Sequence, residues 1–157
     1  MEFLQSLLLP VCFAFLASGA FSLIYNIHGP GILICAFGGA LAWFTYLLSA
    51  PLLQSDISQT FVAALVISVY AEIMARVRKC PVTGYLLVAI FPLVPGGGIY
   101  YTMEYAMEGE VEAFLDSFLH TLGLAGAIAV GVLLVSSAVR MWTAFRRQNP
   151  PKKEGSP

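Results

Sequence analysis

Phe91-Pro92-Leu93-Val94-Pro95-Gly96-Gly97-Gly98-Ile99-Tyr100-Tyr101 breaks an apolar run that extends from Val82 to Met103. The run is long enough to cross a bilayer, for which about 20 apolar residues suffice. Proline removes a backbone donor and clashes with the preceding helical turn, and glycine costs about 1 kcal/mol relative to alanine inside a helix. The sequence therefore predicts a membrane helix that is broken between Pro92 and Gly98.

A broken helix frees backbone N–H and C=O groups, which lipid cannot satisfy, so the break is expected to face protein or a watery cavity. Transporters use such breaks to point the ends of half-helices at a substrate. We therefore predict that the break lines a substrate path in which the freed N–H groups and the Tyr100 hydroxyl bind a carboxylate. A proline kink that only shapes packing is the alternative. The predicted path residues are Pro92, Pro95, Gly96, Gly97, Gly98 and Tyr100.

The composition excludes a soluble domain. Of the 157 residues 59% are hydrophobic and only 11% are charged, whereas soluble domains carry about 25% charged residues. The sequence shows no serine nucleophile motif, phosphate loop, paired catalytic carboxylates, nucleic-acid signature or metal-ligand spacing of its three cysteines. We predict an integral membrane protein that is not an enzyme, with no cofactor, no metal and no nucleic-acid partner.

Hydropathy predicts an all-α protein of about five transmembrane helices in a single domain, residues 1–147. The first run lacks a basic flank and is expected to be a retained helix rather than a cleaved signal peptide. Residues 148–157 are predicted to be a disordered cytoplasmic tail, and the acidic stretch 104–112 is predicted to connect the last two helices. The predicted helices are 3–25, 31–53, 58–77, 82–103 and 113–145.

The basic residues predict the orientation of the chain. Three of the eight surround the third connection and five belong to the C-terminal region. Two crossings separate these regions, so both lie on one side of the membrane, and the positive-inside rule makes that side the cytoplasm. The N-terminus is then outside. The eight residues are Arg76, Arg78, Lys79, Arg140, Arg146, Arg147, Lys152 and Lys153.

Charged side chains within apolar spans are costly and therefore informative. Glu72 precedes Arg76 by four residues on one helix face, which fits either an interfacial ion pair or a functional carboxylate. Asp116 and His120 are also four residues apart, and an acid and an imidazole one turn apart can pass a proton. Glu72, Asp116 and His120 are therefore candidates for proton coupling, and a polar helix end in water is the alternative for the last two.

Small residues recur every fourth position in two predicted helices: Gly31, Cys35 and Gly39, and then Gly123, Ala127 and Gly131. Such faces let membrane helices approach closely. Packing within the chain and homo-oligomerisation both fit this pattern.

The run from Ala89 to Tyr100, followed by an acidic loop and a long last helix, resembles the threonine/serine exporter (ThrE-type) family. The resemblance is to its small-subunit type, in which the exporter is split into a larger and a smaller membrane protein. The runs 17–26 and 76–81 support the resemblance, and the pattern Pro-x-x-Pro-Gly-x-x-x-Tyr is its most specific part.

The resemblance implies export of threonine, serine or related small carboxylates such as succinate, coupled to protons, across the cell membrane. It also implies a larger partner subunit. The motif does not extend to Asp116 or His120. A structural subunit that stabilises a transporting partner without binding substrate is the alternative; it predicts that the glycine run packs against another helix.

Overall fold

The computed structural model describes residues 2–148, with side chains from Leu7 to Phe145. This part of the chain is all-α and contains no strand. A single 3₁₀ turn, Phe91–Leu93, follows the fourth helix. The helices are α1 (Glu2–Ile24), α2 (Pro30–Ser49), α3 (Asp56–Arg78), α4 (Val82–Ile90), α5 (Gly96–Glu108) and α6 (Val111–Gln148).

The predicted membrane architecture is confirmed. Within the described residues, four helices are long and apolar enough to cross a membrane, and a fifth span results if the bent pair Val82–Leu93 and Gly96–Glu108 is counted as one. The two halves of this pair are bent by 56°. The break therefore falls inside the predicted range. Residues 149–157, most of the predicted tail, lie outside the described part of the chain.

Two helix ends differ from their predicted positions. The second helix ends at Ser49 rather than near residue 53, because Pro51 has no backbone N–H with which to continue the helical ladder. The stretch 104–112, predicted as a connection, is mostly helical, since Glu104 and Glu108 belong to α5. Gly109 ends that helix in the left-handed conformation at φ 77°, which glycine adopts without strain. The connection is thus reduced to Gly109 and Glu110.

Helices α2 and α3 form the centre of the bundle. Helix α2 packs against α1, α3 and α4, and α3 packs against α2, α4 and α6. Small side chains fill these contacts, including Ala42, Ala63 and Ala71, all of which are fully buried. Small residues are expected where membrane helices pack closely.

The two predicted small-residue faces are used within the chain. A Cβ atom on Gly39 would overlap Ser18 of α1, and one on Gly131 would lie 2.9 Å from the Cβ of Ala64 on α3. A Cβ on Gly123 would lie 2.7 Å from Ile57. Packing inside the bundle therefore accounts for these glycines without a second copy of the chain.

Helices α3 and α6 run in the same direction, which brings the basic segments together. Arg76 near the end of α3 donates a hydrogen bond to the Thr143 hydroxyl of α6 at 3.0 Å. At the opposite end of α3, Asp56 lies 4.0 Å from His120 of α6. The third connection and the C-terminal part of α6 therefore share one end of the bundle. The side of the membrane that this end faces stays a prediction of the positive-inside rule.

Helix α5 leaves the bundle after the bend and packs against the first half of α6. Thr102 bonds to the Ser117 hydroxyl at 2.9 Å and donates to the Gly98 carbonyl at 2.7 Å. Gly98 itself lies against Thr121, where an added Cβ would lie 3.3 Å from both the Cβ and the Cγ2 of Thr121. The α5–α6 pair is thus fixed by small and hydroxyl side chains.

Candidate substrate site at the broken helix

The break is a short irregular link between two helices. The 3₁₀ turn ends at Leu93, Val94 is extended, and Pro95 precedes the first helical residue of α5, Gly96. The Val94 N–H bonds to the Phe91 carbonyl at 3.2 Å and the Gly96 N–H bonds to the Val94 carbonyl at 2.7 Å. The prolines therefore form the break, and the three glycines form the first turn of α5.

This first turn is an uncapped helix N-terminus. Pro95 offers no side-chain cap, and the first turn of α5 contains no acidic residue. Helix geometry leaves the N–H groups of Gly97 and Gly98 without a carbonyl partner in the helix, since the regular ladder starts with the Ile99 N–H bonding to Pro95. The exposed end of α5 therefore carries a partial positive charge that attracts anions.

A cavity of about 180 Å³ lies in front of this helix end. Its volume is below the roughly 300–1,000 Å³ of pockets for drug-sized ligands, and it suits a smaller one. Helices α2, α3 and α6 and the break supply its wall: Trp43, Tyr46, Asp56, Thr60, Pro92, Leu93, Val94, Pro95, Gly96, Gly97 and Leu124.

The polar groups of the cavity come mainly from α2 and α3. Asp56 brings a carboxylate whose side chain is 54% exposed. Thr60, one turn further along α3, is only 3% exposed. The Trp43 indole N–H is buried without a partner among the described residues, and its ring stacks on Tyr46 at 5.2 Å. Buried polar groups are normally paired, so the unpaired indole N–H at this wall indicates a place for a hydrogen-bond acceptor.

The predicted path residues divide into two groups. Pro92, Pro95, Gly96 and Gly97 line the cavity. Gly98 is turned toward Thr121 instead, and Tyr100 is 62% exposed and lies outside the cavity wall. Tyr100 is therefore not part of this cavity's wall, and a carboxylate contact from its hydroxyl stays a prediction.

The three candidates for proton coupling differ in their position relative to the cavity. His120 faces Asp56, with 4.0 Å between Nε2 and Oδ2. Asp116 is exposed one turn earlier on α6. Glu72 lies far from the cavity, roughly 24 Å along α3 from Asp56 at 1.5 Å per residue, and its carboxylate is 4.0 Å from Arg76. Of the three candidates, His120 is the one that contacts a residue of the cavity.

A second, larger depression lies between α5 and α6. It has a volume of about 480 Å³, and its wall is almost wholly apolar, including Ile99, Met103, Phe114 and Phe118. It offers no charged group to a polar solute. The smaller cavity at the break is therefore the candidate substrate site.

Sequence analysis missed the contributions of α2 and α3. Trp43 lies within an apolar span and has the pattern of a packing residue, and Asp56 follows Ser55 as an ordinary first-turn acid of a helix. One available signal was that Asp56 and Thr60 are four residues apart, so that they share one helix face.

Several membrane-spanning helices, one of them broken beside a cavity, are typical of multi-pass transport proteins. A family model described as "Threonine/Serine exporter, ThrE" matches residues 10–138. Because this match covers most of the chain, the protein belongs to the threonine/serine exporter family. The members of this family are transporters rather than enzymes, and the chain is a multi-pass protein of the cell membrane.

An uncharacterised protein of Haemophilus influenzae is 25% identical over 156 residues, which cover 94% of this chain. The chain spans about half the length of this curated relative, since the match covers 50% of it. No solved structure matches the chain significantly.

Proposed function

We propose that this chain is a membrane subunit of an exporter for threonine, serine or related small carboxylates such as succinate. Its substrate path runs through the cavity at the α4–α5 break. The observation that carries this proposal is the uncapped N-terminus of α5, which presents the free N–H of Gly97 to a small cavity whose wall includes the unpaired Trp43 indole N–H.

The proposal includes a larger partner subunit. The match covers nearly all of this chain and half of the Haemophilus influenzae relative, and the larger subunit is proposed to supply a counterpart of the unmatched half. By the positive-inside rule, the cavity lies toward the outer end of the bundle, because Asp56 and Arg76 occupy opposite ends of α3. Proton coupling is assigned to His120, which meets the cavity through Asp56.

The proposal is tested by efflux of labelled threonine, serine and succinate from loaded cells that express the chain alone or with the larger exporter subunit. Efflux that needs both chains supports a two-part exporter. Efflux from the chain alone removes the requirement for a partner, and absence of efflux in both cases rejects transport of these solutes.

Replacing Gly97 with Leu should abolish efflux without removing the protein from the membrane, because a Cβ at Gly97 meets no atom of the fold within 4 Å. Gly126→Leu is the matched control, since Gly126 is equally open, lies on α6 and is not part of the cavity wall. Normal efflux in Gly97→Leu would take the substrate path out of the break.

The alternative of a structural subunit has one observation in its favour: Gly98 packs against Thr121 of α6. Under that alternative, Gly97→Leu would lower the yield of the assembled complex, and the transport rate per complex would be unchanged. Quantifying the complex beside its efflux separates the two proposals.

A further inference from the structure

We propose that Asp56 binds the ammonium group of the substrate while the first turn of α5 binds its carboxylate. The site then takes a zwitterionic α-amino acid and rejects dicarboxylates such as succinate. This inference rests on the proposed function and assigns a specificity-determining role to Asp56.

Two helix N-termini contribute to the cavity, and they differ in charge. Helix α3 begins with Asp56, whose carboxylate offsets the positive end of its own helix and leaves a negative group at the wall. Helix α5 begins with three glycines and has no acid in its first turn. The cavity is therefore negative on the α3 side and positive on the α5 side. This pattern is complementary to an α-amino acid, whose ammonium group would face α3 and whose carboxylate would face α5.

Neutral polar groups also belong to the wall. They are the Thr60 hydroxyl, one turn from Asp56, and the Trp43 indole N–H, which is buried without a partner among the described residues. A buried donor without a partner is costly, so a ligand that accepts a hydrogen bond stabilises it. The hydroxyl of serine or threonine can accept such a bond.

A dicarboxylate fits this charge pattern poorly. If one carboxylate binds at Gly97, the second is directed to the side of the cavity that Asp56 occupies. Two negative charges in a partly dry cavity repel each other more strongly than in bulk water. The Nε2 atom of His120 lies 4.0 Å from the Asp56 carboxylate, and the His120 side chain is 51% exposed.

The test measures how much the substrate's ammonium group contributes to binding. Everted vesicles from cells that express the chain with the larger subunit take up labelled serine, and unlabelled serine, 3-hydroxypropionate and succinate compete. The second competitor is serine without its ammonium group. The variants are Asp56→Asn, the charge-conserving Asp56→Glu, and Glu108→Gln, an exposed carboxylate at the end of α5 that serves as the control.

In the wild type, serine should compete at least about tenfold better than 3-hydroxypropionate, since a hydrogen bond to a charged group is lost with the ammonium. Asp56→Asn should bring the two competitors within about threefold of each other by weakening serine alone. Asp56→Glu should keep a preference for serine, and Glu108→Gln should match the wild type.

An unchanged ratio of serine to 3-hydroxypropionate in Asp56→Asn, with serine uptake intact, overturns the role of Asp56 and leaves the exporter proposal standing. Succinate competing as well as serine in the wild type overturns the selectivity. Absence of uptake of any of these solutes by the wild-type complex rejects the exporter proposal and this inference together.

Discussion

Gly97 and Gly98 are adjacent in the first turn of α5, yet the structure predicts opposite consequences for the same substitution. A Cβ on Gly97 meets no atom within 4 Å, whereas a Cβ on Gly98 would overlap the Thr121 side chain, whose Oγ1 is buried. Gly97→Ala should therefore preserve stability and impair transport. Gly98→Ala should reduce stability by loosening α5 from α6.

The expected change in the free energy of unfolding has two contributions. Glycine to alanine in a helix gains up to about 1 kcal/mol of propensity, and both variants share this gain. Only Gly98→Ala also forces an extra methyl group into a packed contact, which costs about 1–3 kcal/mol. The difference in free energy of unfolding between the two variants therefore isolates the steric term, and we expect about 1–3 kcal/mol in favour of Gly97→Ala.

The assay is thermal or denaturant unfolding of the purified variants in one detergent, followed by serine efflux from cells with equal amounts of each protein. Combining Gly98→Ala with Thr121→Ala removes the Oγ1 and Cγ2 atoms that the new methyl group would meet, and should restore much of the lost stability. Equal stability of Gly97→Ala and Gly98→Ala would refute the packing assigned to this turn. Full transport by Gly97→Ala would count against a close ligand.

Two further predictions concern the charged residues. His120 is the coupling candidate that lies against Asp56, so His120→Gln should remove the effect of a proton gradient on efflux and Asp116→Asn should keep it. A loss of that effect in Asp116→Asn alone would assign the proton to Asp116. Glu72→Gln should leave efflux unchanged and lower the free energy of unfolding by about 1 kcal/mol or less, because Arg76 is 54% exposed and still bonds to Thr143. A large loss of efflux at normal protein levels would contradict the interpretation of Glu72 as an ion-pair partner of Arg76.

Most of the fold could be predicted from local features of the sequence. The membrane spans follow from length and hydropathy, because a helix must satisfy all its backbone groups within lipid. The helix ends that differ from the prediction depend on competing local preferences. The acidic stretch 104–112 was predicted as a loop from its charge, but Glu104 and Glu108 favour helix and extend α5 as far as Gly109. The bend is anticipated by Pro92 and Pro95, but its 56° angle depends on packing against α6.

The candidate site was only half predictable. The residues of the break can be recognised in the sequence, since proline and glycine are unfavourable inside a helix. Trp43, Asp56 and Thr60 come from other helices, and their place at the break is set by how α2 and α3 pack against α4. The expectation for Tyr100 followed from its position directly after the glycines, but the helical turn that begins at Gly96 carries Tyr100 away from the cavity.

The first two glycines of α5 point to a requirement beyond the fold itself. Gly98 is explained by its contact with Thr121, but an added Cβ on Gly96 or Gly97 would meet nothing within 4 Å. Neither residue has the positive φ that would call for glycine, since Gly29 and Gly109 are the glycines with that conformation in the described chain. Packing and backbone geometry thus leave Gly96 and Gly97 unexplained, as they do the equally open Gly84 and Gly126. Of these four, Gly96 and Gly97 line the cavity, and glycine there lets a small carboxylate approach the free N–H groups without a side chain in the way. We therefore infer that Gly96 and Gly97 lack a side chain because the ligand needs the space. Even Gly96→Ala, which does not disturb the helix, should weaken substrate binding.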